Sequence, residues 1–121
     1  MTHILVVDDS PTELHVIKGM LEKHGFQVTS ALSGEDGVAA AKRIKPDLIL
    51  MDVVMPGMNG FQATRQLARE ADTASIPVIM VTTKDQETDK VWAMRQGAKD
   101  YVVKPAKEKD LIERVNSLLR A

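Results

Sequence analysis

Apolar residues in this chain fall into two alternating periods, one suited to strands and one to helices. Ile4-Leu5-Val6-Val7 is a short continuous apolar run, as expected of a strand covered on both faces, and it stops at Asp8-Asp9. Ser10-Pro11-Thr12-Glu13 then opens a helix: Ser10 can cap it, Pro11 suits the first helical position, and Glu13 can close a capping box. Leu14, Ile17, Met20 and Leu21 give that helix its apolar stripe, and Gly25 ends it. Phe26 to Ala31 alternates as a half-buried strand, which predicts a sheet edge. Ser33-Gly34-Glu35-Asp36 starts a second helix with Val38, Ala41 and Ile44 inward, ended by Pro46. Leu48-Ile49-Leu50-Met51 is another buried strand, ending at Asp52. The loop Met55-Pro56-Gly57-Met58-Asn59-Gly60 leads into a third helix through Phe61, Thr64 and Leu67. Val78 to Val81 is a fourth strand ending at Thr82-Thr83, and a helix from about Asp85 to Gln96 is terminated by Gly97. Tyr101-Val102-Val103 is the last strand, ending at Lys104-Pro105. Leu111, Val115 and Leu118 mark a final helix running almost to Ala121.

Five strand–helix pairs in alternation predict an α/β fold, a doubly wound five-stranded parallel sheet with five helices. Three strands read as central, which selects the flavodoxin-like order 2-1-3-4-5. The 121 residues make one domain, residues 1–121, with no linker or low-complexity tract.

Composition narrows the function. Hydrophobic residues at 44% and charged residues at 27% are a globular balance, and a net charge of −1 gives no reason to expect nucleic acid or an anionic membrane as partner. The chain has no cysteine, which excludes disulfides, thiolate metal sites and cysteine nucleophiles. No apolar run approaches a membrane span, and Met1-Thr2-His3 followed by Ile4 lacks the regions of a signal peptide, so the cytoplasm is the expected location.

In open parallel sheets, ligands bind beyond the carboxyl ends of the strands. Those ends carry Asp8 and Asp9, Asp52, Thr82 and Lys104. Three carboxylates and one ammonium sum to −2, so the carboxylates repel one another unless a dication joins them. An all-oxygen donor set without nearby His or Cys suits a hard ion such as Mg²⁺. Such an ion can also neutralise a phosphoryl group, which Lys104 and the Thr82 hydroxyl could then bind.

As a set, Asp8-Asp9, Met51-Asp52-Val53-Val54-Met55-Pro56-Gly57-Met58-Asn59-Gly60, Thr82-Thr83 and Lys104-Pro105 resemble the receiver domains of two-component response regulators, in the stand-alone CheY-like style. The resemblance spans the whole chain and implies a single receiver with no output domain. It implies that Asp52 accepts a phosphoryl group from a histidine kinase, that Asp9 and Asp52 bind Mg²⁺ directly, Asp8 through water, and that the Val54 carbonyl adds a ligand. It further implies that Lys104 holds the phosphoryl group, that Thr82 senses it, and that Tyr101 moves with Thr82. The output would be contact between a downstream protein and the face of the fourth helix, fifth strand and fifth helix, made by a monomer, or else the draining of phosphate from a shared kinase. Such a protein is no enzyme beyond its own phosphorylation and dephosphorylation. The segments Gly60 to Leu67 and Val81 to Trp92 are similar to stand-alone receivers of type IV pilus (twitching) chemosensory systems. Val54 is apolar where many fast-cycling relatives are polar, and Thr83 is bulkier than the usual Ala or Gly, which bears on the lifetime of the phosphorylated state.

Taken singly, these residues have plainer readings. Asp8-Asp9 could be helix-start carboxylates, Asp52 a turn residue, Lys104 a solvated lysine, Thr82-Thr83 strand filler and Tyr101 a core aromatic. His3, His15 and His24 are scattered and read as surface residues, Lys107, Lys109, Arg114 and Arg120 as a solvated helix face, and Trp92 as helix packing or part of a partner-facing surface. Among competing functions, a flavin or nucleotide binder would need a phosphate-friendly loop after the first strand, where Asp8-Asp9 stands instead. An aspartyl phosphatase would need a cap insertion that this chain lacks. A receiver-like binding module without phosphorylation would not need the full acidic set.

Overall fold

Short continuous apolar runs become inner strands because their side chains, pointing alternately up and down, must be buried on both faces. The computed structural model describes residues 1–120, so Ala121 lies outside the described residues. The strands are β1 (His3–Val7), β2 (Gln27–Ala31), β3 (Leu48–Met51), β4 (Val78–Thr82) and β5 (Asp100–Val103). Between and after them run α1 (Pro11–Lys23), α2 (Gly34–Ile44), α3 (Gly60–Arg69), α4 (Glu87–Gln96) and α5 (Glu108–Arg120). Every pairing is parallel and the sheet order is β2-β1-β3-β4-β5, the flavodoxin-like order expected from the pattern.

The two-residue period divides the core in two. Leu5, Val7, Ile49, Met51 and Met80 pack with Val38 and Ala41 of α2, Ala63 and Leu67 of α3, and Ala93 of α4. Ile4, Val6, Leu48, Leu50, Ile79 and Val81 pack with Leu14, Ile17 and Leu21 of α1, and Leu111, Ile112 and Val115 of α5. The β3 and β4 strands are buried along their whole length, whereas β2, at the sheet edge, is half-exposed. Fully burying one such aliphatic side chain contributes about 1.5–3 kcal/mol, so both layers hold the sheet firmly.

Helix starts follow local chemistry. Ser10 accepts from the Glu13 N–H (3.3 Å), Ser33 from the Asp36 N–H (3.0 Å), and Asn59 with Gln62 forms a reciprocal box at 2.9 Å each way. Three details differ from the sequence reading. Helix α4 begins at Glu87 rather than near Asp85, because the Asp89 carboxylate accepts from the Gln86 N–H (3.3 Å) and sets the boundary there. Glu13 does not close a capping box: the Ser10 N–H donates to Asp8 Oδ1 instead (2.9 Å). Arg114 is not merely solvated, since it reaches Asp100 (2.7 Å) and Asp110 (3.1 Å) and ties α5 to β5. His24 and Lys23 both meet Glu108, at 3.0 and 3.1 Å, and so join the end of α1 to the start of α5.

Candidate functional site

Parallel strands carry their carboxyl ends to one edge, and the hydrogen-bond ladder continues one residue past them. The Asp8 N–H donates to the Ala31 carbonyl (3.1 Å), Asp52 N–H to that of Val7 (2.9 Å), and Lys104 N–H to that of Thr82 (2.8 Å). These bonds fix where three of the predicted residues leave the sheet. The peptide bond joining Lys104 to Pro105 is cis. Behind Asp52, the first residue of α3 closes tightly: the Gly60 N–H donates to the Val53 carbonyl (2.8 Å).

One carboxylate oxygen from each of Asp8, Asp9 and Asp52 lies within 4.8 Å of the others. Asp8 and Asp52 are buried and Asp9 is exposed. The Lys104 ammonium sits among them, 2.6 Å from Asp8 Oδ2 and 3.5 Å from Asp52 Oδ2. Asp8 is thereby committed twice, to Lys104 through one oxygen and to the Ser10 N–H through the other. Asp52 accepts from the Val53 N–H (2.7 Å), which leaves its second oxygen facing Lys104.

Burial raises the Asp52 carboxyl above its ordinary range, and the Asp8 charge adds to that; Lys104, the Thr82 hydroxyl and the Val53 N–H pull it back. For Lys104, burial alone would lower the ammonium. The Asp8 hydrogen bond and the charges of Asp52, Asp8 and Glu13 outweigh it, so the group is held charged. A buried like-charge pair with one cation is still short of positive charge. The donor set is all oxygen, and three carboxylates converge within reach of one ion, so these residues fit a hard dication.

The sensing pair is also in place. Thr82 is fully buried at the end of β4, where its hydroxyl accepts from the Lys84 N–H (3.4 Å). Tyr101 lies on the neighbouring β5, paired with Met80, and its hydroxyl donates to the Lys84 carbonyl (2.8 Å). The Val54 side chain is 59% exposed at the mouth of the site, in a cleft of about 320 Å³ that it shares with Met55, Asn59, Phe61 and Lys84. The residue missed in the sequence is Glu13. Its Oε2 lies 3.8 Å from Lys104 Nζ, adding a fourth carboxylate to the surroundings. Its place in the first turn of α1, four residues beyond Asp9, was the available signal, but the capping pattern masked it.

Residues 4–116 match the family described as the response regulator receiver domain. The chain belongs to that family. It is 62% identical over 119 residues to Protein PilH of Pseudomonas aeruginosa, covering 98% of each chain. It is 38% identical to the transcriptional regulator RpaA of Synechocystis sp., of which it spans only half the length. Among solved structures, the receiver domain of a Pseudomonas aeruginosa sensor histidine kinase superposes with a TM-score of 0.92 at 31% identity, covering 99% of this chain and 98% of that one. That structure holds a magnesium ion in its active-site cleft. The chemotaxis protein CheY4 of Vibrio cholerae gives 0.92 at 28% identity, covering 98% of both chains. As a receiver of two-component signalling, the chain is a phosphorelay component, and a pilus-type or chemotaxis-like role fits its likeness to PilH. No helix among the described residues is long and apolar enough to cross a membrane.

Proposed function

We propose that this receiver takes a phosphoryl group from a histidine kinase onto Asp52 and acts in control of pilus-driven or chemotaxis-like motility in the cytoplasm. The observation that carries the reading is the placement of Asp52, buried at the centre of the strand ends with Lys104 at 3.5 Å and two further carboxylates within 4.8 Å. An Asp52 oxygen attacks the phosphorus of a phosphohistidine. The new oxygen–phosphorus bond forms as the nitrogen–phosphorus bond breaks, and that electron pair returns to the imidazole. Lys104, already charged and within one side-chain adjustment of Asp52, pairs with an incoming phosphoryl oxygen. Thr82 takes another, and Tyr101 follows into the space Thr82 vacates.

Asp9, Asp52 and the Val54 carbonyl would hold Mg²⁺, with Asp8 behind a water, in keeping with its engagement by Lys104 and Ser10. When bound, the ion supplies charge neutralisation to phosphoryl oxygens at a site that otherwise repels them. The protein is no enzyme toward other substrates; it promotes only its own phosphorylation and dephosphorylation. The output is read by a protein partner of the monomer on the face of α4, β5 and α5; on α4, Val91, Trp92 and Met94 are 45–48% exposed.

Incubating the protein with Mg²⁺ and a small phosphodonor, then measuring intact mass, tests the assignment. One phosphoryl group per chain is expected in the wild type and none in Asp52→Asn. Persistent stoichiometric labelling of the Asn variant would place the acceptor elsewhere.

A further inference from the structure

The first turn of α1 carries an acidic residue whose capping duties are already filled. The Ser10 hydroxyl accepts from the Glu13 N–H (3.3 Å), and the Ser10 N–H that a capping box would offer the Glu13 carboxylate goes to Asp8 Oδ1 (2.9 Å). A carboxylate in a first turn suits the helix dipole, which accounts for the sign of Glu13. It does not account for where the side chain goes. Glu13 Oε2 lies 3.8 Å from Lys104 Nζ, the same ammonium that stands 3.5 Å from Asp52 Oδ2. Of the three carboxylates gathered on that ammonium, Asp8 and Asp52 are buried, whereas the Glu13 side chain is 46% exposed. Glu13 therefore stands at the solvent edge of the site.

Charge and distance give this position a consequence. Asp8, Asp9, Asp52 and Glu13 against Lys104 sum to −3, and a dication would leave −1. Without Glu13 the same dication would bring the group to zero, so Glu13 is the excess negative charge that a metal does not cancel. Glu13 Oε2 and Asp52 Oδ2 both lie within 4.0 Å of one nitrogen. Their separation is inside the salt screening length of about 8–10 Å. A donor whose phosphorus has reached Asp52 is still in the field of Glu13, and the repulsion grows with the donor's own negative charge.

We infer that Glu13 is a specificity-determining residue: it slows phosphorylation of Asp52 more, the more negative the donor, and so favours phosphorus–nitrogen donors over acyl phosphates. The inference rests on Asp52 as the phosphoryl acceptor. An acyl phosphate is a dianion at neutral pH. The Asp52 oxygen bonds phosphorus as the bond from phosphorus to the acyl oxygen breaks, and the carboxylate leaves with that electron pair. A phosphoramidate protonated on nitrogen is a monoanion, as is the phosphoryl-imidazole unit of a ring-protonated phosphohistidine. Its nitrogen leaves with the pair of the broken phosphorus–nitrogen bond, as a neutral amine or imidazole. The dianion meets twice the repulsion of the monoanion.

The test measures second-order labelling rates by intact mass for the full chain at saturating Mg²⁺. Acetyl phosphate and phosphoramidate are used in separate arms, at about 0.1 M and about 1 M salt. Glu13→Gln removes the charge at nearly constant shape. At the lower salt it should speed phosphoramidate about twofold and acetyl phosphate about fourfold, because the energy doubles with the donor's charge. Glu13→Asp keeps the charge and should keep the wild-type ratio of the two rates. At the higher salt, where the screening length is about 3 Å, the ratio in Glu13→Gln should return to that of wild type. A second readout involves no chemistry: in NMR titrations of the Mg²⁺-loaded protein, Glu13→Gln should tighten sulfate about twofold more than methyl sulfate, a monoanion of similar shape. A residue that merely held Lys104 or α1 in place would move both donors by one factor and both anions alike. A rate ratio unchanged by Glu13→Gln, a ratio changed equally at both salt concentrations, or equal tightening of the two anions would overturn the inference while leaving the acceptor assignment intact. Labelling that persists in Asp52→Asn would instead overturn the acceptor assignment, and this inference with it.

Discussion

Tyr101 is the one tyrosine of the chain, and its hydroxyl holds the β4–α4 loop by donating to the Lys84 carbonyl. Burial, reinforced by the charges of Asp89, Asp52 and Asp85, pushes this phenol up to about 12 from an ordinary 10.0. The folded protein therefore binds the phenolic proton more tightly than the unfolded chain does. The resulting stability is complete below pH 10.0 and is lost as pH rises toward about 12. An absorbance titration should place the tyrosinate midpoint near 12. Across that interval, wild type should lose roughly 2–3 kcal/mol more stability than Tyr101→Phe, which has no proton to release. An ordinary midpoint near 10.0 would mean that the hydroxyl is free in solution. Glu13 belongs to this scale too. Its capping pattern was legible, but its approach to Lys104 depends on a lysine 91 positions later, 104 − 13, which no local rule connects.

Two glycines separate propensity from packing at the level of elements. Alanine exceeds glycine in helix interiors by about 1 kcal/mol, so propensity alone favours replacing Gly19 inside α1 and, more weakly, Gly60 at the first position of α3. At Gly19 an added Cβ meets nothing within 4 Å, and Gly19→Ala should stabilise by about 0.5–1 kcal/mol. At Gly60 the same atom would fall on the Asp52 carbonyl and lie 2.8 Å from Val53 Cα. Backbone cannot yield there without moving the acceptor, so Gly60→Ala should destabilise by about 1–3 kcal/mol and slow labelling of Asp52. Denaturant unfolding and mass-based labelling of both variants check the pair; a Gly60→Ala protein as stable and as reactive as wild type would show that α3 does not press on the acceptor. Asn59-Gly60 reads in sequence as the end of a loop, and only the closeness of α3 to the end of β3 makes the glycine obligatory.

For the molecule as a whole, the proposed switch has to carry a local event at Asp52 to the surface of α4. Thr82 is buried beside Asp52, Tyr101 lies on the next strand, and Trp92 stands 46% exposed on the helix between them in sequence. One or two charge-assisted hydrogen bonds to a phosphoryl group, at about 1.5–3 kcal/mol each, are enough to shift a two-state equilibrium by tenfold or more. Phosphorylation should therefore change the fluorescence of the one tryptophan in wild type. Thr82→Ala should accept phosphate and show a much smaller change. Equal responses at equal labelling would mean that the signal bypasses Thr82.

Local physical chemistry was enough to write down the strands, their burial on one or both faces, most helix starts and the sheet order, because each depends on periodicity or on a cap within four residues. It also named Asp8, Asp9, Asp52, Thr82 and Lys104, since a parallel sheet delivers its carboxyl ends to one edge whatever the intervening loops. Folding decided what depends on distance through space. It divided the labour of the carboxylates, burying Asp8 against Lys104 while leaving Asp9 exposed. It brought Glu13 toward the lysine and turned Arg114 into a link between α5 and β5. Sequence spacing fixes the face of an element on which a charge stands, and only packing of one element against another fixes which charge it meets.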